Sequence, residues 1–360
     1  MMTRFALTWL LLIPTFAIAK DGTPATVVTT DVFAGTGKSS VATHDDSTST
    51  TTKTNIALGN PFGVEIIGDD VWITTVDDQC VWQTSLSEQT IVRVAGDGRN
   101  GYDGDGGPAT KAAFNWPHEV RVDSEGNLFI ADTRNHVVRR VDAKTQIVNT
   151  IAGNGRAGFA GESKSGTDVQ FDQPHSVVLD GEGGLLVADT KNHRLRRIDL
   201  GTGVVRTIAG TGDKTLPADG ADARTSPLFG PRSLAVDAKS IWIALREGNS
   251  IWRLDRKTNT LHCVAGTGKK GYTGDGGDPL HATFSGPKGI TIDADGNLLI
   301  VDTENHAVRK IDFATNTIAT VMGGPGSDDS AKLKRPHGIA ASKNLFLLGD
   351  SENHRVLIGQ

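Results

Sequence analysis

Short hydrophobic runs alternate with polar turns along most of the chain, and the runs come in fours. Between Pro117 and Gly153 they read EVRVD, NLFIAD, VVRRVD and IVNTIAG, parted by SEGN, TRNH and AKTQ. Brief runs rich in valine and isoleucine, broken by Gly, Asn, Asp and Ser, predict β-strands joined by tight turns. The group of four then repeats. An Ala-Gly pair closes it at Ala34–Gly35, Ala95–Gly96, Ala152–Gly153, Ala209–Gly210 and Ala265–Gly266, with Met322–Gly323 as a variant. A proline opens the next group at Pro61, Pro117, Pro174, Pro231, Pro287 and Pro336. Self-similar units of four strands predict an all-β, six-bladed β-propeller with antiparallel blades. The last unit offers three strands before Gln360. Residues 26–37, TVVTTDVFAGTG, match QIVNTIAGNG and are expected to add the fourth strand, closing the ring and removing its exposed edges. Residues 20–360 then make a single domain.

The units share the form P-x-G/S/E-hydrophobic, DG-N-L-hydrophobic, D-T-x-N-H-x-h-R-x-h-D, AG-x-G. This pattern resembles NHL repeats. It is specific in the second, third, fifth and sixth units. The first has VDDQCVWQ and the fourth LREGNSIWR in place of the D-T-x-N-H core. The resemblance implies a propeller whose relatives include extracellular sensor domains, protein- and RNA-binding modules, and a peptidyl-hydroxyglycine amidating lyase. It does not decide function, which depends on sites placed on the fold.

A structural residue is needed in every blade, a catalytic one only once. Asp132, Asp189, Asp302 and Asp350, with Asn135, Asn192, Asn305 and Asn353 three positions later, recur and read as turn builders. His136, His193, His306 and His354 belong to the same turns. Arg139, Arg196 and Arg309 are expected to pair with a neighbouring blade.

The residues after the blade-opening prolines are different. They are Phe62, His118, His175, Arg232, Lys288 and His337. First strands line a propeller's channel, so these six are expected to converge at its mouth. Five can carry positive charge, and blade building does not explain their variety. The ring could bind a small anion such as a carboxylate or phosphate. Alternatively His118, His175 and His337 could hold zinc. PHSVVLD, from Pro174, is similar to an amidating-lyase segment that supplies a zinc-binding histidine, and this implies such a role for His175. Glu119 beside His118 is the candidate general base. Glu65 and Arg121 are expected to pair across two blades.

Two loops, GRNGYDGDGGPATKAAF from Gly98 and GKKGYTGDGGDPLHATF from Gly268, are near copies expected to wall a pocket over the channel. Asp103 and Asp105 in DGDGG raise calcium as a second metal. The polar stretch from Ser39 is expected to be mobile.

The bulk numbers narrow the partners. A net charge of −5 gives no footing for nucleic acid. Residues 1–19 read as a signal peptide: Arg4, an apolar stretch, then Ala17-Ile18-Ala19. The mature chain is expected to be periplasmic or secreted, without a membrane span. Cys80 and Cys263 fall in opposite blades and are expected to be free. The leading reading is a binding or scaffold module for a small anionic ligand or a protein partner. The alternative is a metal-dependent lyase or hydrolase.

Overall fold

The computed structural model describes residues 28–39, 50–162, 164–328 and 332–360. The leader, the start of the 26–37 segment and much of the polar stretch after Ser39 lie outside the described residues. Six antiparallel sheets surround a central axis. In blade 2 the strands run outward as Pro117–Val122, Leu128–Asp132, Val137–Val141 and Ile147–Ala152. The second strand is buried throughout, because blades pack on both of its faces. The fourth strand alternates in burial, because it meets solvent. The expected closure is present. Thr30–Ala34 pairs antiparallel with Arg355–Gly359, from Thr30 opposite Gly359 to Ala34 opposite Val356.

The core is divided among the blade interfaces, with a separate hydrophobic cluster at each. One such slab joins Trp72, Val81 and Ala95 of blade 1 to Phe114, Val120 and Ile130 at blade 2. The Ala-Gly marks have a steric cause. Gly153 has φ +92°, and a Cβ there would strike the His136 carbonyl oxygen. Ala152 beside it is fully buried.

The loops between blades run outward. Gly107–Pro108 pairs with Ile147–Val148 on the outer edge of blade 2, and Lys164–Ser165 does the same in blade 3. They cover the edge strand rather than the channel mouth, which corrects the expectation that they wall the cavity.

Candidate functional site

Six channel-lining strands bring the post-proline residues together, and the turns after the second strands surround them. In blade 2 the Asp132 carboxylate accepts hydrogen bonds from the Asn115 backbone N–H at 2.7 Å and from Asn135 Nδ2 at 2.8 Å. Thr133 Oγ1 donates to the Pro174 carbonyl of the next blade at 2.7 Å. His136 sits in the left-handed region at φ +57°. Its Nδ1 accepts the Gln173 backbone N–H, also of the next blade, at 3.2 Å. His193, His306 and His354 make the same bond to Gly230, Arg335 and Asn60. Blades 1 and 4 keep the latch with an amide oxygen instead: Gln79 Oε1 accepts from Trp116 and Asn249 Oδ1 from Gly286. The repeated histidines are interblade latches.

The repeated arginines do not reach the neighbouring blade, contrary to expectation. Arg139 is fully buried and lies 3.5 Å from Asp132 of its own blade. Its Nη2 donates to Asp105 at 2.7 Å and to the Asp103 carbonyl. Tyr102 and Phe114 flank its guanidinium at 5.3 and 5.2 Å. Arg309 repeats this cage with Asp275, Tyr272 and Phe284. DGDGG therefore serves the arginine. Asp105 is committed to Arg139, and Asp103 to Arg99 and the Ala113 N–H. Neither is arranged around a calcium ion.

The ring does converge. Phe62, His118, His175, Arg232, Lys288 and His337 are each less than 9% exposed. Phe62 stacks on His337 at 3.8 Å, and His118 meets Phe62 and His175 edge-on, each at 4.9 Å. Arg232 Nη2 lies 2.7 Å from His118 Nε2, and Lys288 Nζ lies 3.0 Å from His337 Nε2. His175 Nδ1 is held by Thr190 Oγ1 and His337 Nδ1 by Ser351 Oγ, each at 2.9 Å. Thr190 and Ser351 donate their own protons to the Pro231 and Pro61 carbonyls. The two imidazoles therefore carry Nδ1–H, and Nε2 of His337 faces Lys288 as an acceptor. Burial first, then the nearby cations, hold His118, His175 and His337 well below the usual imidazole range. They are neutral at pH 7.

Neutral imidazole suits zinc, but here the Nε2 atoms of His118 and His337 face Arg232 and Lys288. Among the described residues no three His, Cys, Asp or Glu side chains are arranged to hold a metal. The donor set, as placed, does not fit a cation. Glu119 is tied to Arg121, which also lies 3.4 Å from Glu65. Burial raises Glu65 to about 7 against the pull of Arg121. Arg121 thus joins blades 1 and 2, as expected, but takes both carboxylates. Cys80 and Cys263 are free.

Above the ring lies a cavity of about 310 Å³. Phe62, His175, Arg232, Lys288 and His337 form its floor. Its sides come from residues that sequence reasoning passed over: Trp116, Lys191, Arg246, Glu247, Arg335 and Glu352. These are residues preceding the blade-opening prolines or variable positions of the repeated turn. Variation at a fixed position of an otherwise constant motif was the available signal. Arg246 pairs with Glu247 at 2.8 Å, and Arg335 with Glu304 and Glu352 at 3.0 and 3.1 Å. Lys288 lies 3.3 Å from Glu304. Arg232 is 8% exposed, has no carboxylate within ion-pair distance among the described residues, and its Nε has no partner. Burial, then Arg246, lowers it to about 9. Burial, then Arg232, lowers Lys288 to about 7.

The fold and this axial site define a six-bladed β-propeller. Its repeat is NHL: the NHL repeat model matches residues 114–140, 171–198, 284–311 and 333–358, which fall in blades 2, 3, 5 and 6. Four of the six blades are thus NHL repeats. It is 28% identical over 284 residues to SUPPRESSOR OF QUENCHING 1, chloroplastic, from Arabidopsis thaliana, covering 73% of this chain and 26% of that protein. It is 27% identical over 282 residues to human NHL repeat-containing protein 2, covering 68% of this chain and 38% of that protein. The chain thus spans well under half the length of these relatives. Among solved structures, an auxiliary nutrient binding protein from Bacteroides thetaiotaomicron shares the fold with TM-score 0.64 and 12% identity, covering 96% of this chain and 82% of that one. No helix among the described residues is long and apolar enough to cross a membrane.

Proposed function

We propose that this propeller is an exported binding module whose axial cavity takes a small anion. The observation that carries the reading is Arg232. A buried guanidinium without a carboxylate partner is costly unless something else supplies the charge. Arg232 points at a cavity whose floor also holds Lys288, so a carboxylate or phosphate there would complete the pairing. The nutrient-binding activity named for a structural neighbour is in keeping with this reading, but the likeness there is one of fold.

Titration calorimetry with acetate and inorganic phosphate tests it. Saturable binding that Arg232→Gln weakens by about 10- to 100-fold is the expected result, since charge-assisted hydrogen bonds carry that much. If neither anion binds the folded protein, the reading fails. The alternative, a metal-dependent lyase or hydrolase at His118, His175 and His337, is disfavoured because Nε2 of His118 and of His337 faces a cation. Elemental analysis of chelator-free protein separates the two. About one transition metal per chain, lost in His175→Ala, would favour the enzyme.

A further inference from the structure

Blades 1 and 4 depart most from the repeat, and they stand opposite each other across the cavity. Four blades place a hydroxyl directly after the second strand: Thr133, Thr190, Thr303 and Ser351. Each donates to the proline carbonyl of the next blade, at 2.7 to 2.8 Å. Blade 1 has Val76 at this place and blade 4 has Arg246. Both line the cavity. On the blade 1 side Val76 joins Phe62 and Trp116, whose rings meet at 5.8 Å. The guanidinium of Arg134 lies 3.4 Å from the Trp116 ring and props it. On the blade 4 side Arg246 joins Arg232. The cavity therefore has an aromatic surface at blade 1, bordered by the hydrogen-bonded Asn60 and Asp77, facing two guanidiniums at blade 4, of which Arg246 is paired with Glu247. Its volume of about 310 Å³ lies at the small end for ligand sites.

We infer that the ligand is an amphipathic anion: a flat apolar or aromatic body carrying one carboxylate or phosphate group. The head group sits on Arg232 and Arg246, and the body lies against Phe62, Val76 and Trp116. A purely polar anion would leave the aromatic wall wet. An uncharged aromatic would leave Arg232 unpaired. This deepens the anion-binding reading and rests on it.

The experiment compares matched probes by calorimetry: acetate against benzoate, and inorganic phosphate against phenyl phosphate. Benzoate and phenyl phosphate are expected to bind about tenfold tighter than their small counterparts, from aromatic contact and apolar burial. Trp116→Asn is the discriminating variant. Residue 116 holds φ +60°, and Asn60 occupies the equivalent place in blade 1 at φ +57°, so the backbone tolerates it. In this variant the preference should shrink to about two- or threefold while acetate and phosphate bind as before. Arg246→Gln should weaken all four probes together. If the four probes bind wild type equally, the amphipathic inference is overturned and anion binding stands. If none binds, both fall. If the preference survives in Trp116→Asn, the aromatic wall is not its source and the inference is overturned.

Discussion

Blades 2, 3 and 5 bury an arginine where blades 1 and 4 place a tryptophan. Arg139 lies opposite Ile130, Arg196 opposite Val187 and Arg309 opposite Ile300. Trp82 lies opposite Ile73 and Trp252 opposite Ile243 in the same register. The buried aspartate disappears with the arginine: Thr75 and Leu245 stand where Asp132, Asp189 and Asp302 stand elsewhere. Trp82 donates its indole N–H to Thr75 Oγ1 at 2.9 Å, and Trp252 to Ser250 Oγ at 3.0 Å. In blades 1 to 5 this slot therefore has two solutions, a caged ion pair or a large aromatic with one hydrogen bond, whereas blade 6 places Leu357 there and pairs Asp350 with Arg355 instead. Either fills the volume, but the ion pair must be kept or lost as a unit. The difference teaches that the irregular blades are complete blades. Their irregularity frees the adjoining turn positions to face the cavity.

The largest test of this comparison is Arg139→Met set against Trp252→Met. Arg139→Met leaves the fully buried Asp132 uncompensated and should cost about 3–5 kcal/mol by urea unfolding at pH 8. Trp252→Met leaves a void and should cost about 2–4 kcal/mol. Their pH response separates them. Burial already raises Asp132 to about 7, against hydrogen bonds from Asn115 and Asn135 and the charge of Arg139. Without the arginine it rises further. A carboxyl whose folded pKa is raised keeps its stability at low pH and loses it as pH rises. The Arg139→Met deficit should therefore shrink at pH 5, and the Trp252→Met deficit should not. Equal pH responses would refute the caged-pair account.

The latches divide differently, into four imidazoles and two amides. An imidazole Nδ1 accepts a hydrogen bond only while it is unprotonated, whereas Gln79 and Asn249 accept at any pH. Burial lowers His136 and His193 from their ordinary value, with Asp172 and Glu247 respectively pulling the other way. For a depressed folded pKa the stability is present above the unfolded value of about 6.5 and is lost as pH falls through the folded value. The latches should therefore contribute a loss of melting temperature between pH 7 and 5, opposed over the same range by the raised carboxyls Asp132 and Glu65. His136→Asn with His193→Asn, copying blade 4, should remove about 1 kcal/mol of that loss per latch. A melting curve as acid-sensitive as wild type would show that these latches do not set the acid response.

Anion affinity should fall as pH rises past about 7, because Lys288 then loses its proton and the floor of the cavity loses a charge. With acetate as probe, calorimetry at pH 6 and 8.5 should differ by about three- to tenfold. Lys288→Met should flatten the difference.

Much of this was legible in the sequence, for a physical reason. A blade cannot bury its faces alone, so every copy carries the same turn, glycine and proline marks, and counting them yields six blades and a closed ring. The ring at Phe62, His118, His175, Arg232, Lys288 and His337 was legible because one position breaks the repeat in residue type. The cavity sides were not. Whether Arg246 or Glu352 faces the axis depends on the left-handed residue that ends each turn, as at Asn249 with φ +44° and His354 with φ +51°. Spacing alone does not carry that. The loops misled because glycine and aspartate suit an arginine cage as readily as a rim, and only the buried guanidinium shows which.

The smallest expected stability effect bears most directly on whether blade 4 was given over to function. Arg246 occupies the place of the hydroxyl that ties each regular blade to the next. Arg246→Thr should restore that tie, with its hydroxyl donating to the Pro287 carbonyl as Thr190 does to Pro231. One added intramolecular hydrogen bond is worth about 0.5–1.5 kcal/mol. The variant would also remove a cation that lies close enough to lower Arg232. Both changes favour the folded state, against the loss of the Arg246–Glu247 pair, and removal of the cation weakens the cavity's hold on an anion. A variant more stable than wild type and poorer at binding would mean that blade 4 gives up a structural tie to keep a charge at the site. A variant that is less stable, with binding intact, would mean that Arg246 belongs to the masonry and that the cationic wall is Arg232 alone.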